Sequence, residues 1–497
     1  MSSPESGTWS LSRALERLPK KLAGSGAKFF RDLGMLVGGQ VAAKLIGLFA
    51  FAHLARILDP ESYGEVEFVV GLAGLFATVI DLGLGTIGVR RAAAAPAERA
   101  QLAAEISLIR FAVATVCALA MVIGVNLFGG SPGLHGLVML YAVSLVISAW
   151  YQEWLLQSAG LMRQVAIAQV LRMSVFLVAI LLLVHGVGDA VLVGASEIAA
   201  VSAAAGYALY VQSRKIGAIR IWKRFEPGSL IRESIPVGLG TMIWSAAQYA
   251  PLFLIGALVG GAGTGFLAGA SRLVASVATF SFVYHFNLYA TASQLARNGQ
   301  ALAKLMRSSF RATAWLTIAG ALVVSLAAEP IITIVYGRDF AAAAASLAIL
   351  IWTVPVMFLS GHARWSLILA HFEIDVLLSQ IAGLLTVVVL GLALVPAYAE
   401  IGAAAAALGG NIGVWVSSFA LARFRKVETP ALKLAAKPLL LAAALALCTG
   451  LVAMPAWIEA AGALFLYALF GPVLDRALFG DILHLSRASA GTGDSAQ

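Results

Sequence analysis

Apolar residues in this chain run in blocks of about twenty, parted by short polar stretches rich in Arg, Lys, Pro and Gly. Wound as an α-helix rising 1.5 Å per residue, such a block crosses the roughly 30 Å hydrocarbon layer of a bilayer. The pattern predicts fourteen helices. The first six cover about 32–53, 66–86, 106–128, 134–157, 164–184 and 190–211. The next six cover about 232–257, 266–290, 309–328, 341–361, 376–396 and 400–421, and a last pair about 434–454 and 457–478. The tenth is the least regular, because Gly361, His362 and Arg364 interrupt its end. Inside lipid every backbone N–H and C=O needs a partner within the protein, which blocks of this length supply as helices. The expected fold is an all-α polytopic membrane protein.

Charge then orients the bundle. Loops and span starts on the side of the N-terminus carry 26 of the 34 Lys and Arg residues, the other side only Arg56 and Arg338, and six lie inside spans. By the positive-inside rule both termini are cytoplasmic. A missed helix would scramble this alternation, so the bias also supports the count. The division expected from it is a basic N-terminal segment 1–31, a lobe 32–211, a basic linker 212–231, a second lobe 232–421, a helix pair 422–478 and a polar tail 479–497. Span 3 opens with Ser107-Leu108-Ile109-Arg110 and span 9 with Ser308-Ser309-Phe310-Arg311, which suggests two six-helix lobes in parallel repeat. The segment from Leu11 to Phe30 mixes Leu and Phe with Lys and Arg, and reads either as a surface helix on the inner leaflet or as a disordered lead-in.

Composition changes the picture by exclusion. With 60% hydrophobic and 12% charged residues, the chain carries about half the charge of a soluble domain. Its net charge of +9 is spread over short loops and forms no single basic face, so no nucleic acid partner is expected. No loop exceeds about 22 residues, which leaves no room for a soluble catalytic domain. Phosphate-loop, HExxH and CxxC patterns are absent, so no catalytic residue, metal site or cofactor is expected. Cys117 and Cys448 read as small buried hydrophobes.

The candidate chemistry lies in ionisable residues within spans, each of which costs about 2.5–3.5 kcal/mol at the bilayer centre and needs a partner or a wet cavity. Lys44 is near the middle of span 1, with Gln40 one turn away on the same face. Arg272 is in span 8, and Gln248 and Tyr249 lie in span 7 just before Pro251. Together they suggest a water-filled cavity between two lobes with cations on both sides. Asp81, Arg110, Glu153 and Arg172 share the half of their spans nearer the N-terminal side, and Glu197 and Arg272 share a level in the other half. All six read as structural ion pairs; for Asp81, Glu197, Glu153 and Arg172 the other reading is coupling to a proton or sodium ion, with Asp81 or Glu197 as its carrier.

The stretch from Gly38 to Glu67 contains Leu54-Ala55-Arg56-Ile57-Leu58-Asp59-Pro60-Glu61-Ser62-Tyr63-Gly64, which is similar to the LAR-x-L-x-P-x-x-Y-G block of bacterial polysaccharide exporters. Asp81-Leu82-Gly83-Leu84-Gly85 followed by Arg90-Arg91 also fits, as do Glu329-Pro330-Ile331-Ile332 through Tyr336-Gly337, and Pro396 through Gly402 before Ala403–Ala407. Over nearly its whole length the chain resembles the Wzx-type O-antigen and exopolysaccharide flippases of the multidrug/oligosaccharidyl-lipid/polysaccharide (MOP) exporter superfamily. The resemblance implies two lobes that rock between inward-open and outward-open states. It also implies an undecaprenyl-diphosphate-linked oligosaccharide as cargo, membrane lipid around its tail, and a polysaccharide polymerase and export machinery as partners. Lys44 and Arg272 match the cavity cations of that family by position, and Arg56 falls within the matched block. Fourteen helices depart from the twelve of many O-antigen flippases and are shared with lipid II flippases, whose extra pair lines a groove for the lipid tail. The alternatives are a lipid II-type flippase or a cation-coupled small-molecule or drug antiporter on the same fold, although the antiporter would call for acidic residues deep in the cavity with few cations beside them.

Overall fold

The computed structural model describes residues 11–217, 227–295, 298–449, 454–478 and 480–481, and among them the regular structure is helical, with no strand. Among the described residues thirteen helical runs are long and apolar enough to cross a membrane. They are α1 (Gly34–Ile57), α2 (Pro60–Ala94), α3 (Pro96–Leu127), α4 (Pro132–Ser158), α5 (Met162–Leu183), α6 (Leu192–Lys215), α7 (Pro227–Leu258), α8 (Gly261–Leu295), α9 (Gly299–Leu326), α10 (Ala343–Leu369), the run Glu373–Phe424, and a last pair, Leu432–Thr449 and Ala456–Leu474. Glu373–Phe424 is 52 residues long and breaks at Ala399, where φ is 45° and ψ −122°. Pro396 lacks the N–H that would continue the helix, so the turn falls where it does. The two parts are α11 (373–398) and α12 (400–424), the last pair is α13 and α14, and the fourteen spans are those of the hydropathy pattern.

Local chemistry sets the span starts. Pro60 and Pro132 occupy first-turn positions that need no N–H, and the side chains of Asp59 and Ser131 accept from the backbone N–H groups of Ser62 (2.9 Å) and Leu134 (3.0 Å). The helix of α1 extends back to Leu11, so the segment read as surface helix or lead-in is helical and continuous with the first span. The expected interruption of α10 does not occur. The helix runs through Gly361 and His362 to Leu369, because His362 satisfies its own ring inside the bundle: Nδ1 faces the Phe358 carbonyl at 3.0 Å and Nε2 faces Ser309 Oγ at 2.8 Å. Cys117 is buried, but Cys448 is exposed on the peripheral α13, contrary to the expectation for it. The linker residues 218–226 and the tail from 482 onward lie outside the described residues.

Among α1–α6 the main packing is α1 on α5, α5 on α6, α3 on α4 and α4 on α6; in the second half α7, α10 and α8 pack around the α11–α12 run. The halves meet chiefly where α2 lies against α7 and α8. We call the end bearing Arg90, Arg91, Arg163 and Arg307 the basic end, and the end bearing Arg56 and Arg338 the opposite end. Near the opposite end α2 and α8 touch backbone to backbone: a Cβ on Gly265 would fall onto the Pro60 carbonyl, and one on Gly64 would lie 2.7 Å from the Gly265 nitrogen. Gly265→Ala is therefore expected to push these helices apart and lower stability by about 1–3 kcal/mol, read as a lower thermal midpoint of the purified protein. Nearer the basic end, α2 breaks at Leu82 (φ 42°) and Gly83 (φ 78°), and Gly83 packs against α7 with its Cβ position 2.7 Å from the Ser234 carbonyl. Asp81 holds the break by accepting from the N–H of Gly85 at 3.1 Å.

The last helix pair is bolted to α9. Arg311 pairs with Asp475 (3.3 Å) and Asp481 (2.5 Å), Trp315 Nε1 donates to Asp475 at 3.3 Å, and the Trp315 ring meets Tyr467 edge-on at 5.3 Å. Asp475 and Asp481 are largely buried, so Arg311→Ala would strand two carboxylates. Faster protease cleavage between α13 and α14 is the expected readout. At the other side of the second half, Arg425 grips Asp375 with 2.6 and 3.2 Å bonds, and these bonds, with the carboxylate's charge, push the Arg425 pKa upward.

Candidate functional site

A cavity of about 1040 Å³ lies chiefly among the helices of the first half and is closed on one side by α7 and α8 of the second, so it is less central than a cavity shared evenly by two lobes. Its wall on α1 begins at Ala43 and Lys44 and ends at Phe51, and it descends past Asp81 on α2 to Glu153 and Gln157 on α4, near the basic end. Tyr249 and Arg272 close it from α7 and α8. Four cations and three carboxylates line it, and their partners decide what each can do.

Three of the cations are neutralised in place. Arg110 pairs with Asp81, and Arg172 with Glu197. Arg272 makes a two-pronged bridge to Glu67, both bonds 2.7 Å, and its guanidinium lies over the Phe51 ring at 3.3 Å. The Tyr63 hydroxyl donates to the same Glu67 at 2.8 Å. The pairing of Arg272 with Glu197, one of the two readings of that level, is thus corrected: α5 and α6 are neighbours, so Glu197 goes to Arg172 and α2 supplies the partner of Arg272. Glu153 has no cationic partner among the described residues; its Oε1 accepts from the amides of Gln157 (2.9 Å) and Gln169 (2.8 Å).

Lys44 is the remaining cation. Its ammonium donates to Thr279 Oγ1 on α8, and no carboxylate pairs with it among the described residues. A charge at that depth without a counter-ion is costly unless a wet cavity or a partner meets it.

The other proposed cavity residues divide. Tyr249 lines the cavity and packs on Phe253 at 6.0 Å. Gln248 is exposed and does not line it, since consecutive helical residues point about 100° apart. Gln40 shares the face of Lys44 but lies one turn beyond the wall and is exposed. Arg56 is at the opposite end, where its Nε donates to the Val335 carbonyl at 3.0 Å and its Nη2 to that of Ile334, at the end of the short helix Ala328–Tyr336. It joins the first half to the second.

Sequence reasoning missed Glu67. With Arg272, Phe51, Tyr63 and Phe340 it forms a buried plug between the cavity and the opposite end; the Tyr63 and Phe340 rings meet edge-on at 5.3 Å. The four-residue step from Tyr63 to Glu67 was the available signal.

A family model described as polysaccharide biosynthesis protein matches residues 29–284. No curated protein matches the chain in sequence. Among solved structures, the chain is similar to the lipid II flippase MurJ in an inward closed conformation, with TM-score 0.66 and 12% identity over 89% of this chain and 99% of that one. It is similar to an inward-facing multidrug resistance MATE family transporter of the MOP superfamily, with TM-score 0.61 and 14% identity over 78% of this chain and 94% of that one. An outward-facing structure described in the same words gives TM-score 0.52 and 14% identity, over 80% and 94%. At these identities the likeness is one of fold.

Proposed function

The chain belongs to the polysaccharide biosynthesis protein family and has the fold of the MOP transporters, and from that premise we propose that it is a flippase. Its cargo is an undecaprenyl-diphosphate-linked oligosaccharide repeat unit, moved from the cytoplasmic to the periplasmic leaflet of the bacterial inner membrane for O-antigen, capsule or exopolysaccharide assembly. The observation that carries the reading is Lys44, a cavity cation at mid-depth with no carboxylate of its own.

The charge bias puts the basic end in the cytoplasm. The diphosphate and sugars enter the cavity from there while the prenyl tail stays in lipid, and the Lys44 ammonium takes the place of water around a phosphate oxygen. Rocking of the halves parts Glu67 from Arg272 and Arg56 from its carbonyls, and the head leaves on the far side. The membrane potential, negative inside, favours outward movement of an anion by about 2.3 kcal/mol per charge per 100 mV. No bond is made or broken, so no catalytic group or cofactor is required. Asp81 and Glu197 are each held by an arginine, which favours a structural role over carrying a proton or sodium ion. Delivered units pass to a polymerase and export machinery.

In a strain lacking the protein, lipid-linked repeat units are expected to accumulate in the inner leaflet and surface polysaccharide to disappear. Units that still reach the periplasm would refute the proposal. The α13–α14 pair and the likeness to MurJ favour one second reading, a lipid II-type flippase. Under that reading, depletion would stop cell-wall growth and lyse the cells. A drug antiporter is disfavoured because two of the three cavity carboxylates are already paired with arginines, and the same strain should not be sensitised to cationic dyes.

A further inference from the structure

With Arg110, Arg172 and Arg272 neutralised by their own carboxylates, the cavity keeps, among the described residues, one cation without a carboxylate, Lys44, and one carboxylate without a cation, Glu153. The two sit at different depths. Lys44 is 13 residues before the end of α1 at Ile57, and Glu153 is 21 residues after the start of α4 at Pro132, both counted from the opposite end. At 1.5 Å per residue, Glu153 lies roughly 10 Å nearer the basic end.

The surroundings of Glu153 are those of a hydrogen-bonding wall. It opens the short helix Glu153–Ser158 after a break in α4, and the amides of Gln157 and Gln169 fix its carboxylate. Glu153, Trp154 and Gln157 all line the cavity. Trp154 is 4% exposed, and its Nε1–H has no acceptor among the described residues. That nitrogen is sealed from the cavity, so the polar groups this part of the wall presents are the carboxylate of Glu153 and the amide of Gln157. A carboxylate and an amide together offer acceptors and a donor to vicinal hydroxyls. The carboxylate opposes a second anion.

We propose that Glu153 and Gln157 form a saccharide subsite for uncharged, hydroxyl-rich sugars, with Glu153 rejecting acidic ones. The inference rests on the flippase reading and adds to it that the cargo carries its negative charge on the diphosphate and not on the sugars next to it. Diphosphate and saccharide then occupy separate levels, Lys44 holding the first and Glu153 the second.

The test is binding to the purified full chain, followed by native mass spectrometry with three probes: undecaprenyl diphosphate alone, the same carrier with a neutral disaccharide, and the same carrier with a disaccharide containing a uronic acid. The neutral form is expected to bind roughly tenfold or more tighter than the acidic form. Glu153→Gln keeps the size and hydrogen bonding of the side chain and should shrink that ratio to about threefold or less. Gln157→Leu, which keeps the size of the side chain and removes the amide, should narrow the advantage of the neutral form over the bare carrier. Equal binding of neutral and acidic forms, or a ratio that Glu153→Gln does not move, would overturn the subsite alone. Binding of none of the three would overturn the flippase reading and the subsite with it.

Discussion

Lys44→Ala is expected to abolish most export while leaving the protein at its normal level in the membrane. A charge-assisted hydrogen bond contributes about 1.5–3 kcal/mol, so losing it should weaken cargo binding by roughly ten- to 150-fold. Nothing in the fold depends on the ammonium: Lys44 is exposed to the cavity and its protein partner is a single threonine hydroxyl on α8. The effect should therefore follow charge. Lys44→Arg should retain export to within about fivefold, because one phosphate oxygen asks for a cation more than for a particular shape. Lys44→Glu should be worse than the alanine variant. Surface polysaccharide, normalised to membrane protein, is the readout, and normal export in Lys44→Ala would remove the site assignment.

The second large effect is expected at the plug. Glu67→Ala leaves the Arg272 guanidinium buried without a carboxylate, and Arg272→Ala strands Glu67, whose side chain is 8% exposed. Removing one partner of a buried pair costs about 3–5 kcal/mol, enough to lower the amount of folded protein sharply. The double change Glu67→Gln with Arg272→Gln removes both charges together. It is expected to recover most of the thermal stability lost by either single variant, and part of the export. Arg272 was expected from the sequence to grip the cargo; it lines the cavity, and its bridge to Glu67 also makes it a tie between α2 and α8. If the double variant folds normally and exports nothing, Arg272 also binds cargo.

The spans were legible because lipid demands about twenty apolar residues per crossing, a signal carried within each block and independent of the rest of the fold. Even the merged run Glu373–Phe424 was readable as two spans, through Pro396 and the glycine after it. Lys44 was legible for the same reason: a charge in the middle of an apolar block is anomalous by itself. Partners were not legible, because pairing depends on which helices are neighbours. Depth alone matched Glu197 to Arg272, whereas adjacency gives Glu197 to Arg172 and Glu67 to Arg272. Glu67 escaped notice since it stands near the first turns of α2, in a stretch that reads as a polar loop edge, yet α8 and the short helix at Tyr336 cover it. Gln40 failed for a related reason. Helical spacing gives its face correctly but not where along that face the cavity stops.

The central claim is that the free ammonium in the cavity lets a diphosphate-linked saccharide cross the bilayer. The most direct measurement is translocation of a fluorescent undecaprenyl-diphosphate-linked oligosaccharide in proteoliposomes holding only this protein, scored by exposure of the saccharide to a membrane-impermeant quencher. The wild-type chain should make the labelled head exchange between leaflets, and Lys44→Ala should slow that exchange at least tenfold. Equal exchange by the two proteins, or none by the wild type, would contradict the account.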